Sequence, residues 1–202
     1  MEGSDHGNPI GTISVAESEG REPYPNRLSN CLVVAPPLGR RAAERLEHLL
    51  EKREFILEPI SCNLAVMVPE DGFMNRAQQL RRRYGTLLIA DEVACGFGRT
   101  GKVFACEHFD LPPGILCMGK EITGGAAPMG ATIVTQKVAK SVEDKVGFWS
   151  TYGWHPSPVD VRPPGAGGAA PARGRRGKAL AAHVAGSHGH DAFFTPRTRS
   201  TE

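Results

Sequence analysis

The sequence has no CxxC pair, no HExxH or similar histidine pairing, and no apolar run approaching the roughly 20 residues that a membrane span needs. Its five cysteines, Cys31, Cys62, Cys95, Cys106 and Cys117, are odd in number and far apart, which favours reduced thiols over disulfides or a zinc site. Of the seven histidines, His183, His188 and His190 fall in a low-complexity stretch and His48 lies on the polar side of a helical pattern, so no metal centre is expected. The N-terminal MEGSDHGNPIG has no apolar segment of the kind that drives export, and a cytoplasmic protein is expected. Charge of one sign is scarce too: the formal net charge is +2, which gives no reason to expect a nucleic-acid or membrane partner. That small excess is local, because from Val161 onward seven Lys/Arg face two Asp/Glu, leaving 17 against 20 before it.

What is present is a chain of 202 residues with 40% hydrophobic content, enough to bury a core. Residues 1 to 30 carry many Gly, Pro, Asn and Ser without a sustained period and read as loop, or as structure that needs a neighbour. From Gly39 to Lys52, Ala42, Leu46, Leu49 and Leu50 share one face of an amphipathic helix. FILEPI (55 to 60) is a short buried strand closed by Pro59. After the Pro69-Glu70-Asp71-Gly72 turn signal, Phe73, Ala77, Leu80 and Tyr84 recur at helical spacing up to a Gly85 stop. The runs TLLIA (86 to 90), ILCM (115 to 118) and ATIVT (131 to 135) complete a set of strands alternating with helices, the parts of an α/β fold. Beyond Pro156 the composition turns to Pro, Gly, Ala and Arg with few large apolar side chains, so residues 157–202 are expected to be a largely disordered tail after a domain at 1–156.

Two residues in this frame can carry chemistry. Asp91 arrives with Glu92 at the carboxyl end of an apolar strand, the edge of an open α/β sheet where ligands bind. Its plainer alternative is a turn cap. Lys120 comes after another apolar run and precedes Thr123-Gly124-Gly125, beside a backbone that can approach a ligand closely. A lysine removed from water deprotonates more readily and becomes an amine nucleophile for carbonyl carbon; its alternative is a solvated surface lysine. GFGRTG (96 to 101) matches the GxGxxG pattern of dinucleotide-binding proteins, but an Asp-Glu pair and three further residues separate it from the strand, and Pro112-Pro113 interrupts the chain beyond it. A nicotinamide site is therefore not expected.

FILEPI, LLIADEV, GFGRTGKVFACEHFDL, ILCMGK, ITGGAAPMGATIV and STYGWHP, in this order and at these intervals, resemble the class III pyridoxal-phosphate-dependent aminotransferases over roughly residues 5 to 156. The resemblance implies part of the large domain of the fold type I transferases, and transamination between an amine or amino acid and a keto acid. It implies that Lys120 is the Schiff-base lysine, that Asp91 pairs with the pyridine nitrogen of pyridoxal 5'-phosphate, and that Val93 packs on one ring face. Glu58 then resembles the acid that supports the aspartate from the adjacent strand. Thr151 resembles the threonine that reaches the cofactor phosphate in the partner subunit, which implies a homodimer with shared sites.

The departures from the family pattern are specific. Members are about twice this length, and the segment with the main phosphate-binding residues would precede residue 1, so the chain reads as truncated at both ends. Asp5 stands where a stacking aromatic is usual, Ala94 where a polar residue is usual, and Asn63 where many amine-specific members carry a second glutamate. The abrupt change at Ser157 is the pattern expected of a shifted reading frame. Two readings are open: an aminotransferase acting through Lys120, or an inactive fragment with at most a structural or subunit-pairing role.

Overall fold

The structure is a computed structural model that describes residues 1–17, 23–38, 41–50, 54–142 and 192–193. It divides into two compact units, Met1–Met118 and Gly119–Glu202.

In the first unit, helix α1 spans Ile10–Val15 and helix α2 spans Arg41–Leu49. Strand β1 spans Phe55–Leu57, helix α3 Phe73–Tyr84, strand β2 Leu88–Asp91 and strand β3 Ile115–Met118. The strands are parallel and β2 is central: Leu57 pairs with Ala90 on one side, and Asp91 pairs with Cys117 on the other. A parallel sheet of this kind carries the expected α/β class.

Each element grows out of its sequence. Ala42 and Leu46 of α2, and Leu50 just after it, are buried as the helical period requires, whereas Leu49 is half-buried and His48 is exposed. The β1 strand stops at Leu57 because Pro59 cannot continue a ladder. Phe73, Ala77 and Leu80 form the buried face of α3. The helix ends where Gly85 takes a left-handed conformation with φ of 66°, which a side chain with a Cβ resists. Leu57, Leu80, Leu88, Ala90 and Leu111 are among the most deeply buried core residues. Thr86 Oγ1 donates to Leu50 O at 3.1 Å, tying the end of α2 to the approach of β2.

The first residues are more ordered than their composition predicts. Glu2 N–H donates to Val34 O and Gly3 N–H to Glu17 O, both at 2.8 Å, so the N-terminus is stitched into this unit. The α1 helix, only six residues long, buries Ile13 and Ser14, and is too short to generate a visible period.

In the second unit, a 3-10 turn spans Lys120–Ile122, strand β4 spans Ala131–Thr135 and helix α4 spans Gln136–Val142. Strand β5, Ala192–Phe193, pairs antiparallel with β4 through Val134↔Phe193 and Thr135↔Ala192. The expected disordered tail at 157–202 otherwise lies outside the described residues. No helix among the described residues is long and apolar enough to cross a membrane.

Candidate functional site

Asp91 is the last residue of β2, and the strand delivers it to the carboxyl edge of the sheet with 7% of its surface exposed. Its carboxylate is held from two directions. Val93 N–H donates to Oδ1 at 3.1 Å, a local turn in which the side chain closes on the backbone two residues on. His6 Nδ1 lies 2.7 Å from Oδ2, bridging 85 residues of sequence. The turn-cap alternative for Asp91 thus describes one oxygen; the other belongs to a buried contact that no local pattern signals. Each oxygen has a second lone-pair direction, so the carboxylate can still accept an N–H from a ligand.

Glu92, the other half of the acid pair, has a different task. It is 1% exposed and accepts Ala105 N–H at 3.0 Å, Cys106 N–H at 2.7 Å and the Cys95 thiol at 3.1 Å. It thereby pins the start of a 3-10 helix, Ala105–Phe109, to the end of β2 and closes the glycine-rich loop between them. Glu107 reinforces this closure by accepting Phe104 N–H at 2.9 Å. Burial, with the Glu92 charge behind it, pushes both the Cys95 and Cys106 thiols up, which keeps them protonated and poorly nucleophilic. At Gly96 a Cβ would lie 2.8 Å from Glu92 O, so this position tolerates only glycine without displacement. The GFGRTG segment is therefore a turn that runs into a 3-10 helix, unlike the helix-opening geometry of a dinucleotide fingerprint.

Val93 is half-buried and lies in the turn after β2. The strand ends at Asp91, two residues before Val93, and the Asp91 side chain captures Val93 N–H. Glu58, 4% exposed, comes directly after β1; its Oε1 accepts Ser61 Oγ at 3.1 Å and its Oε2 accepts Cys62 N–H at 3.2 Å. Its described bonds hold the chain at the mouth of the 61–67 hairpin. Asp5, exposed, accepts Gly7 N–H at 2.9 Å. In the second unit Lys120 is exposed at the start of its 3-10 turn, and the Thr123 hydroxyl bridges the adjoining loop by donating to Ala127 O at 2.6 Å. Thr151 lies outside the described residues.

Sequence reasoning missed His6 and the division of labour between Asp91 and Glu92. His6 carried one usable signal, a lone histidine inside a polar, glycine-rich opening, but its partner is too distant in sequence to be paired by spacing. No group of three His, Cys, Asp or Glu side chains among the described residues could hold a metal ion.

The profile of the family described as aminotransferase class-III matches residues 1–161. Among solved structures, an ornithine aminotransferase from Toxoplasma gondii, crystallized with oxidized glutathione and described as having partial occupancy of PLP at its active site, is 26% identical. It superposes with a TM-score of 0.67 over 75% of this chain and 35% of its own. A thermostable omega transaminase 6-fold mutant from Pseudomonas jessenii is 27% identical, with a TM-score of 0.67 over 75% of this chain and 40% of its own. A Bacillus anthracis aminotransferase is 28% identical, with a TM-score of 0.66 over 73% of this chain and 37% of its own. The chain spans well under half the length of each of these proteins.

Proposed function

The chain belongs to the class III aminotransferase family, and on that premise we propose that it carries the ring-binding part of a pyridoxal-phosphate-dependent transaminase site. The observation that carries the reading is Asp91: a carboxylate at the carboxyl edge of the central strand, oriented by two donors and able to take a third. That carboxylate, as an acceptor, fits a protonated pyridine nitrogen, because a nearby negative charge favours the protonated ring. Bound pyridoxal 5'-phosphate supplies an electron sink for the carbon that loses its proton.

This chain's residues then divide the remaining work. Asp91 would hold the ring nitrogen, and Val93, half-buried in the adjoining turn, would offer an apolar contact to one ring face. Lys120 would hold the cofactor's aldehyde through Nζ, and its amine would serve as the acid–base group for the proton moved in transamination. Glu58 braces the loop beside β1. By the resemblance, Thr151 would meet the cofactor phosphate of a second subunit, and the working form we infer is a cytoplasmic homodimer that exchanges amino groups between an amine or amino acid and a keto acid.

The first test is to titrate purified chain with pyridoxal phosphate, reduce with borohydride and map the adduct by peptide mass. The expected outcome is a single pyridoxyl mass on the Lys120 peptide, absent in Lys120→Ala and reduced in Asp91→Ala. Labelling spread over surface lysines and unchanged by Asp91→Ala would sink the reading.

A second reading, an inactive fragment that pairs with longer subunits, is favoured by one observation. Leu28, Leu32, Leu38, Val66 and Val68 are each about half exposed or more. Isolated exposed apolar side chains are common, but these, together with Ile10 and Tyr24 in the same unit, suit a chain that leans on a neighbour. Its mark is a mass in solution above the monomer together with absent Lys120 labelling.

A further inference from the structure

The glycine-rich loop after β2 folds back on itself, and its two arms are in register. Gly98 N–H donates to Val103 O at 3.3 Å, and the Phe97 ring meets the Phe104 ring edge-on with centroids 5.7 Å apart. Gly96 lies against the same arm, since a Cβ placed on it would come 3.4 Å from the Phe104 ring. Carried on toward the base of the loop, this register sets Cys95 opposite Cys106. Their surroundings agree with it. Cys95 Sγ donates to Glu92 Oε2 at 3.1 Å, Cys106 N–H donates to Oε1 at 2.7 Å, and the Cys106 thiol also bonds the Glu92 carboxylate. Two thiols that converge on one carboxylate are neighbours, and both are buried. A disulfide spans Cα atoms about 4.4–6.8 Å apart, the separation typical of residues opposed on antiparallel arms.

We propose that Cys95 and Cys106 are a disulfide-forming pair, a modification site at the base of the loop that takes oxidising equivalents from a small-molecule disulfide and closes the loop covalently. The thiolate of one cysteine attacks the reagent's S–S bond, forms a mixed disulfide and releases one reagent thiolate. The other cysteine attacks that mixed disulfide, forms the Cys95–Cys106 bond and releases the second. Two electrons pass from the cysteines to the reagent, and the two cysteine protons end on the released thiols. Burial keeps both thiols protonated, so the reaction is slow while the loop stays shut and proceeds when it opens. On oxidation Glu92 loses its thiol donors and keeps the Ala105 and Cys106 N–H groups, so the loop retains its shape. The pair stands apart from the proposed cofactor site, because the Asp91 carboxylate contacts His6 and Val93 and neither thiol.

The test incubates the full folded chain with hydroxyethyl disulfide at mildly alkaline pH, caps the remaining thiols by alkylation and digests with trypsin without reduction. The expected product joins peptide 84–99, which holds Cys95, to peptide 103–120, which holds Cys106 and Cys117. Its mass is the sum of the two peptides less two hydrogens, and dithiothreitol separates them. Cys106→Ser abolishes the link and Cys117→Ser retains it. Fragmentation of the joined peptides places the bridging sulfur directly, so the assignment stands even where a serine variant fails to fold. The oxidised chain is also expected to unfold at a higher urea concentration than the reduced one, because the link constrains the unfolded chain. No link after prolonged exposure, a bridge to Cys117, bridges spread over Cys31 and Cys62, or a link that forms only in denaturing urea overturns the proposal.

Discussion

Two loops leave the carboxyl edges of neighbouring parallel strands, each with a buried carboxylate at its base, Glu92 for one and Glu58 for the other, and they differ in how far that carboxylate reaches. The one after β2 is closed by a single buried carboxylate: Glu92 takes two backbone N–H groups and a thiol from residues up to 14 positions away. The one after β1 is a hairpin whose Ser61 and Met67 pair across the neck, while Ala65 and Val66 at its tip sit at φ of 53° and 59°. Those are left-handed conformations that cost an L-residue roughly 1–2 kcal/mol, most of all a β-branched one. Satisfying buried backbone donors anchors the far end of the first loop, within which Phe97 also takes a left-handed φ of 58°. The second keeps its shape despite local strain, with Ala65 and Val66 exposed.

The sharpest way to break the contrast is Glu92→Ala. It orphans the Ala105 and Cys106 N–H groups in the interior, and a loss of about 3–5 kcal/mol in urea unfolding is expected. Glu92→Gln, which keeps an acceptor, loses less than half of that. An equal loss for both variants would mean that charge, not satisfaction of the donors, holds the loop.

Alkaline pH is the next largest lever. The Cys95 and Cys106 thiols are raised in the folded chain above the usual 9.0, so the unfolded chain ionises first. Their contribution to stability is complete below that value and is lost as pH rises through it. By pH 10 each thiol removes about 1.4 kcal/mol, and the double Cys95→Ala, Cys106→Ala variant loses this alkaline slope. Urea midpoints at pH 8 and pH 10 check it, and native-state alkylation should label exposed Cys62 well before either buried thiol.

Gly96→Ala forces a Cβ against Glu92 O and is expected to cost about 1–3 kcal/mol in the same assay. The smallest effect has the opposite sign. Ala65→Gly or Val66→Gly relieves the hairpin and stabilises by about 0.5–1 kcal/mol, since both positions are exposed and lose no packing. A destabilised glycine variant would show that the hairpin is not strained.

The same contrast separates what could be read in the sequence from what could not. The ILCM and ATIVT strands appear at the predicted bounds because short apolar runs flanked by turn residues have few other uses. Helix α3 starts after Gly72 and stops at Gly85 as its punctuation predicts. The placement of Asp91 at a strand end was equally legible, because it depends on the run that precedes it. What Asp91 and Glu92 bind was not. Both are neighbours with the same charge, and they part only when the fold brings His6 to one and the Ala105–Cys106 backbone to the other. Ladders and helix ends are local facts; the partner of a buried carboxylate is a property of the tertiary structure.

Glu92 grips main-chain amides across the loop, not the side chains between them. The closure itself therefore does not depend on the exposed Val103 side chain, whereas Gly101 is needed for its φ of 91° and Phe97 packs edge-on against Phe104. Substitution at Val103 can explore new surface chemistry while the buried peg stays in place.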